Sequence, residues 1–260
     1  MNNTLTLTTQ ARDIIAGFEQ MTIAGKTFSC PYFNNKRSRA RAALAVMIGK
    51  GTPDAIVQEA MLLAKKHHVQ LAELTEDALK TFLVEHNLGI DCSGFAYHVL
   101  AAEVQAKTNT SLRSCLSFPL VTNPFRRILA KLRPAENTNV KSLGHDNNSQ
   151  VVELTDIHPG DMVILFSQTQ TAFVDHVLLV TDVVLENDVP VSFSYAHSYT
   201  WPTDGKIHHG IKRGQVLITD LTNSLIDQQW IEAGQTNKEN YTWKSLSDAA
   251  YVGLRRLRCL

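Results

Sequence analysis

Gly89-Ile90-Asp91-Cys92-Ser93-Gly94-Phe95 is the stretch on which the reading of this chain turns, because it sets a thiol where a turn becomes an amphipathic helix. Asp91 has the side chain of a helix N-cap. Phe95, Ala96, Val99, Leu100 and Val104 follow at helical spacing, so Cys92 falls in the first turn. Unbonded N–H groups and the positive end of the helix dipole stabilise a thiolate there, which predicts a lowered pKa and a nucleophile near neutral pH. For any single thiol a buried structural cysteine is the competing reading, and the surrounding sequence has to decide.

The segments on either side of this helix are of different kinds. Upstream, Ala11, Ile14, Ile15, Phe18 and Met21 predict a helix over 10–24 with Gly25 as its C-cap, and Pro31 marks a loop at 28–35. Residues 36–88 read as a helical insertion in pieces at about 37–48, 53–67 and 75–86, divided at Gly49-Lys50-Gly51-Thr52-Pro53 and capped at Thr75. Downstream, 107–150 lose periodicity and read as a long polar loop or lid, with one short amphipathic run at Phe125, Ile128, Leu129 and Leu132. From Ile157 the pattern becomes β: Met162–Phe166, Phe173–Leu185, Val191–His197, Gln215–Asp220 and Tyr251–Cys259, with short turns between them. Helices first and hairpin-linked strands afterwards predict an α+β fold in a single domain spanning 1–260, the Cys92 helix packed on an antiparallel sheet.

Composition narrows the chemistry. Lys+Arg and Asp+Glu both number 25 in 260 residues, so no net field draws the chain to nucleic acid or to an anionic surface. Local basic clusters remain at Lys36–Arg41, Arg126-Arg127 and Arg255–Arg258. No secretory leader and no apolar run of membrane-spanning length is visible, from which a cytoplasmic location is expected. Cys30, Cys92, Cys115 and Cys259 form no CxxC pair, which disfavours a zinc site or a disulfide framework and implies no metal or cofactor.

A cysteine nucleophile needs a base, and the base needs a partner that orients its ring. Of the histidines, His98 lies six residues after Cys92 on the same helix and faces away from the thiol, while His67, His68 and His86 fall in the helical insertion. His176 opens the apolar strand His176-Val177-Leu178-Leu179-Val180, and His197 lies on the next one, Phe193-Ser194-Tyr195-Ala196-His197-Ser198. Two antiparallel neighbours can bring those two rings together.

Asp91-Cys92-Ser93-Gly94-Phe95, Pro159-Gly160-Asp161-Met162-Val163 and His176-Val177-Leu178-Leu179-Val180 resemble, in this order, the three core motifs of the NlpC/P60 cysteine peptidases. The resemblance covers Ile90–Asn109 and Ile157–Ser198. It implies a papain-like core in which Cys92 is the nucleophile and His176 the base. The polar residue that orients the base is implied on the next strand, as His197 or, in another hairpin register, Tyr195. Pro31-Tyr32-Phe33-Asn34 resembles the start of the family's oxyanion motif, which implies Tyr32 as an oxyanion donor together with the Cys92 N–H, although the Trp-Gly that should follow is missing. Asp91, Ser93 and Tyr195 are the candidate substrate-contacting neighbours.

By the same resemblance the activity is hydrolysis of an amide bond through an acyl-enzyme on Cys92, in a peptide or other amide-bearing small substrate such as a bacterial cell-wall peptide. An acyltransferase or thioesterase on the same residues, or a noncatalytic binding protein of the same fold, are the alternatives. Arg37, Arg39, Arg41, Arg126 and Arg127 lie in the two insertions and are candidates to hold an anionic substrate group, against the reading that they are simply solvated.

Overall fold

The structure, a computed structural model, describes residues 2–33, 45–167 and 175–260. At the amino terminus β1 (Asn2–Thr6) leads through the N-cap Thr8 into α1 (Thr9–Glu19), which buries Ala11, Ile15 and Phe18. A hairpin of β2 (Met21–Ile23) and β3 (Lys26–Phe28) follows, and Gly25 supplies the positive φ of its turn instead of capping α1. Thr52 and Thr75 then start α2 (Pro53–Lys66) and α3 (Glu76–Glu85), their hydroxyls accepting the Ala55 and Ala78 N–H groups. Of the helical piece expected over 37–48, one 3-10 turn at Ala45–Ile48 is seen; Arg37, Arg39 and Arg41 lie outside the described residues.

The central helix is α4 (Cys92–Thr108), capped by Asp91 at its start and ended by Asn109 in the left-handed conformation. Beyond it, the stretch expected to be loop is largely short helix: α5 (Leu112–Cys115), α6 (Pro124–Leu132), α7 (Pro134–Asn137) and α8 (Val140–Leu143). The polar residues that read as loop are the caps. Ser111, Asn123 and Asn139 accept the N–H groups of Ser114, Arg126 and Ser142. Helices of four residues are too short to show periodicity.

The remaining elements are β4 (Ser149–Val151), β5 (Met162–Ser167), β6 (His176–Glu186), β7 (Val189–Tyr199), β8 (Gly210–Leu217), β9 (Gln229–Glu232), β10 (Gln235–Thr236), α9 (Tyr241–Ser247) and β11 (Ala249–Leu257). They form an antiparallel sheet in the order β10-β9-β8-β7-β6-β5-β11-β4. β1 pairs with the far half of β6, beyond the part that β5 covers. The fold is therefore α+β with an antiparallel sheet.

Strand alternation divides the interior into two cores. Met162, Ile164, Val177 and Leu179 pack on the helical side, with Phe18 from α1 and Phe95, Val99 and Leu100 from α4. Val163, Leu165, Leu178 and Val180 point the other way and join Phe193, Tyr195, Trp230 and Leu246 of α9. Each such buried side chain contributes about 1.5–3 kcal/mol, so α4 is fixed on its sheet by several at once. Among the described residues no helix is long and apolar enough to cross a membrane.

Candidate active site

Each residue of Asp91-Cys92-Ser93-Gly94-Phe95 has a physical reason to be where it is. Asp91 Oδ1 accepts the Gly94 N–H at 2.6 Å and the Ser93 hydroxyl at 3.1 Å, closing the first turn of α4. Gly94 is needed because a Cβ there would lie 2.5 Å from the Gly49 carbonyl oxygen. Phe95 is buried and meets Phe18 edge to face at 5.8 Å between ring centroids. The close approach at Gly94 brings in a residue that sequence reading assigned only to a helix break. Lys50 is buried, and its Nζ donates to Asp91 Oδ1 at 2.8 Å and to the Ser93 hydroxyl at 2.5 Å. The Lys50 carbonyl is held in turn by His98 Nε2 at 2.9 Å, the ring that faces away from the thiol.

The Cys92 sulfur lies near the start of β6, where the Val177 N–H, one residue beyond His176, favours its charged form. Ser198 fixes the neighbouring strand at the same place, its hydroxyl donating to the Ile90 carbonyl at 2.8 Å. His176 and His197 meet as expected, with His176 Nε2 2.7 Å from His197 Nδ1. Behind them stands Glu232 of β9, whose Oε2 lies 3.2 Å from His197 Nε2 and accepts the Tyr195 hydroxyl at 2.7 Å. Tyr195 is thus directed to Glu232 and not to His176, and it is not among the residues that line the cleft beside Cys92. Gly214 of β8 lies between Tyr195 and Glu232 in register, and a Cβ there would collide with the Tyr195 ring.

The three groups fix their own protons. With Glu232 Oε2 as the acceptor, hydrogen bonding assigns the His197 proton to Nε2 and leaves a lone pair at Nδ1. His176 Nε2 then donates to that lone pair, and Nδ1 becomes the basic nitrogen of His176. Among the described residues no hydrogen bond joins the His176 ring to the Cys92 sulfur.

Electrostatics correct one expectation. Burial pushes the Cys92 thiol up to about 12, the Asp91 charge adds to the rise, and Lys50 with the N–H groups of Val177 and Ser93 only partly opposes it. Helix position therefore does not win over desolvation here. Burial and the adjacent His197 hold His176 well below the usual histidine value. Thiol and imidazole rest neutral.

A cleft of about 400 Å³ opens beside the thiol, lined by Tyr32, Lys50, Asp91, Cys92 and Ser93 on one side and by 136–141 with Asp175 on the other. Tyr32 is anchored there by its N–H, which donates to His209 Nδ1 at 2.9 Å, and by a bridge to Ile90. The segment after α4 thus borders the cleft through α7 and α8. Arg126 lines a different groove, beside α6, and among the described residues Lys50 and Lys141 are the cations that line the cleft itself. No family model, no curated protein and no solved structure matches this chain.

Two site residues, Lys50 and Glu232, were not found by sequence reading. Lys50 is one cation in a Gly-Lys-Gly turn. Glu232 ends the short run Trp230-Ile231-Glu232 before Ala233-Gly234, and a carboxylate closing so brief a strand resembles an ordinary solvated turn residue. The available signal was the strand pattern itself: an acidic side chain two positions from a large buried Trp shares its face.

Proposed function

We propose that this chain is a thiol hydrolase of NlpC/P60-like, papain-like type, cleaving an amide bond of a peptide or related small substrate through an acyl-enzyme on Cys92. The observation that carries this reading is the ordered line Glu232–His197–His176 ending at the strand start against which the Cys92 sulfur lies. In this mechanism the thiol proton passes to His176 Nδ1 as sulfur bonds to the carbonyl carbon. The oxyanion takes the Cys92 N–H, an orphan donor of the first helical turn, and the Tyr32 hydroxyl. Imidazolium then returns its proton to the leaving amine, and a water activated by the same nitrogen releases the acid. Glu232 and His197 hold the tautomer and stabilise the transient cation.

The test is mass spectrometry of the intact chain with activated peptide esters and amides. An acyl adduct should map to Cys92, be absent in Cys92→Ala, and resolve with release of a free carboxylic acid. His176→Ala should lower turnover by at least about 100-fold, with His197→Ala and Glu232→Gln losing less. An adduct on another residue, or turnover unchanged in His176→Ala, removes this reading.

A further inference from the structure

α6 is turned inside out relative to an ordinary surface helix. Phe125, Ile128, Leu129 and Leu132 fall on one stripe, yet their exposures run from 54% to 77%. The one buried residue of the helix is Ala130, about 150° around from the centre of that stripe at about 100° per residue. A helix on a soluble surface normally turns such a stripe inward. Here a small residue touches the body of the protein and the large apolar ones face out, continued by exposed Leu120.

Charge says what covers the stripe. Arg126 and Lys131 stand about 110° to either side of it, and Arg133 just past the helix adds a third cation, while no Asp or Glu occurs between Asn123 and Ala135. The chain as a whole has formal net charge zero, so this is a local concentration of positive charge. A second copy docked stripe to stripe would bring these like-charged rims together. An anionic lipid surface matches both features, because apolar side chains enter the acyl boundary while flanking cations reach the headgroups. Nine residues of helix, about 13 Å, lie in such an interface and are far too short to span it.

We propose that α6 is an interfacial docking element by which this protein binds the surface of bilayers containing anionic phospholipid. The groove beside α6, lined by Leu120, Arg126, Leu129 and Arg133, shares Asn137 with the cleft beside Cys92, so a docked membrane adjoins the rim of that cleft. The inference stands on exposure and charge and does not depend on the catalytic reading.

The experiment is co-sedimentation of the full chain with vesicles of phosphatidylcholine alone and of phosphatidylcholine mixed with phosphatidylserine. Binding is expected to the mixed vesicles, falling as salt is raised. Phe125→Ser with Ile128→Ser, both at exposed positions, and separately Arg126→Glu with Lys131→Glu, should each lower partitioning by about tenfold or more with an unchanged circular dichroism spectrum. No binding to mixed vesicles, equal binding to both vesicle types, or retention by both double variants overturns the proposal. So does a dimer in light scattering that the Phe125→Ser, Ile128→Ser chain no longer forms, since the stripe would then be covered by a second copy.

Discussion

Two helices of this chain, α4 and α6, are written in the same alphabet and end in opposite environments. α4 buries residues nearly all round, from Cys92 through Val104, against α1 on one side and β6 and β7 on the other. α6 has the cleaner apolar stripe of the two and buries Ala130 alone. Periodicity reports that a face is apolar. Which partner covers it depends on distant chain: β6 and β7, on which α4 packs, begin 68 or more positions beyond its last residue.

The largest expected effects separate the two helices by stability. Phe95→Ala opens a cavity against Phe18 and should cost about 3–5 kcal/mol, whereas Phe125→Ala on the exposed stripe should stay within about 0.5 kcal/mol. Urea titrations read both, and equal losses would mean that α6 is packed as α4 is.

Next comes the entry to α4. Gly94→Ala drives a methyl group against the Gly49 carbonyl and the Lys50 and Ile90 side chains, and should cost about 1–3 kcal/mol. Lys50 and Asp91, which hold the turn that carries Cys92, are displaced with it, so on the proposed reading turnover should fall too; a variant as stable and active as the parent would show that the approach at Gly49 is not tight.

A smaller effect follows from protons. Burial holds His98 and His176 below the usual histidine value of 6.5, so the folded chain resists protons that the unfolded chain accepts. Stability is thus fully present above about pH 6.5 and is lost as pH falls below it, by up to about 1.4 kcal/mol per pH unit for each ring until its folded value is reached. Denaturation midpoints at neutral and mildly acidic pH test the sign. The α6 region carries no such group between Asn123 and Ala135, so its vesicle binding should show no histidine step over the same range.

Much of the fold was legible because it is local. Successive strands at 162–199, the N-caps Asp91 and Thr75 and the stripe of α4 are statements about neighbouring residues, and antiparallel order follows from short connections. β1, β4 and β9 were missed because strands of three to five residues are recognisable only through their partners.

At the candidate site, sequence alone determined the chemistry on offer: a cysteine at a helix start, a histidine opening one strand and another on the next. Tertiary structure decided how those groups stand. It chose His197 over Tyr195 as the partner of His176, because the register of β6 and β7 carries the Tyr195 hydroxyl past Gly214 to Glu232. It brought in Lys50 and Glu232 from 42 and 140 residues away from Cys92 along the chain. It also reversed the expected ionisation of the thiol, since a helix dipole is a property of local sequence whereas desolvation is set by everything packed around the sulfur.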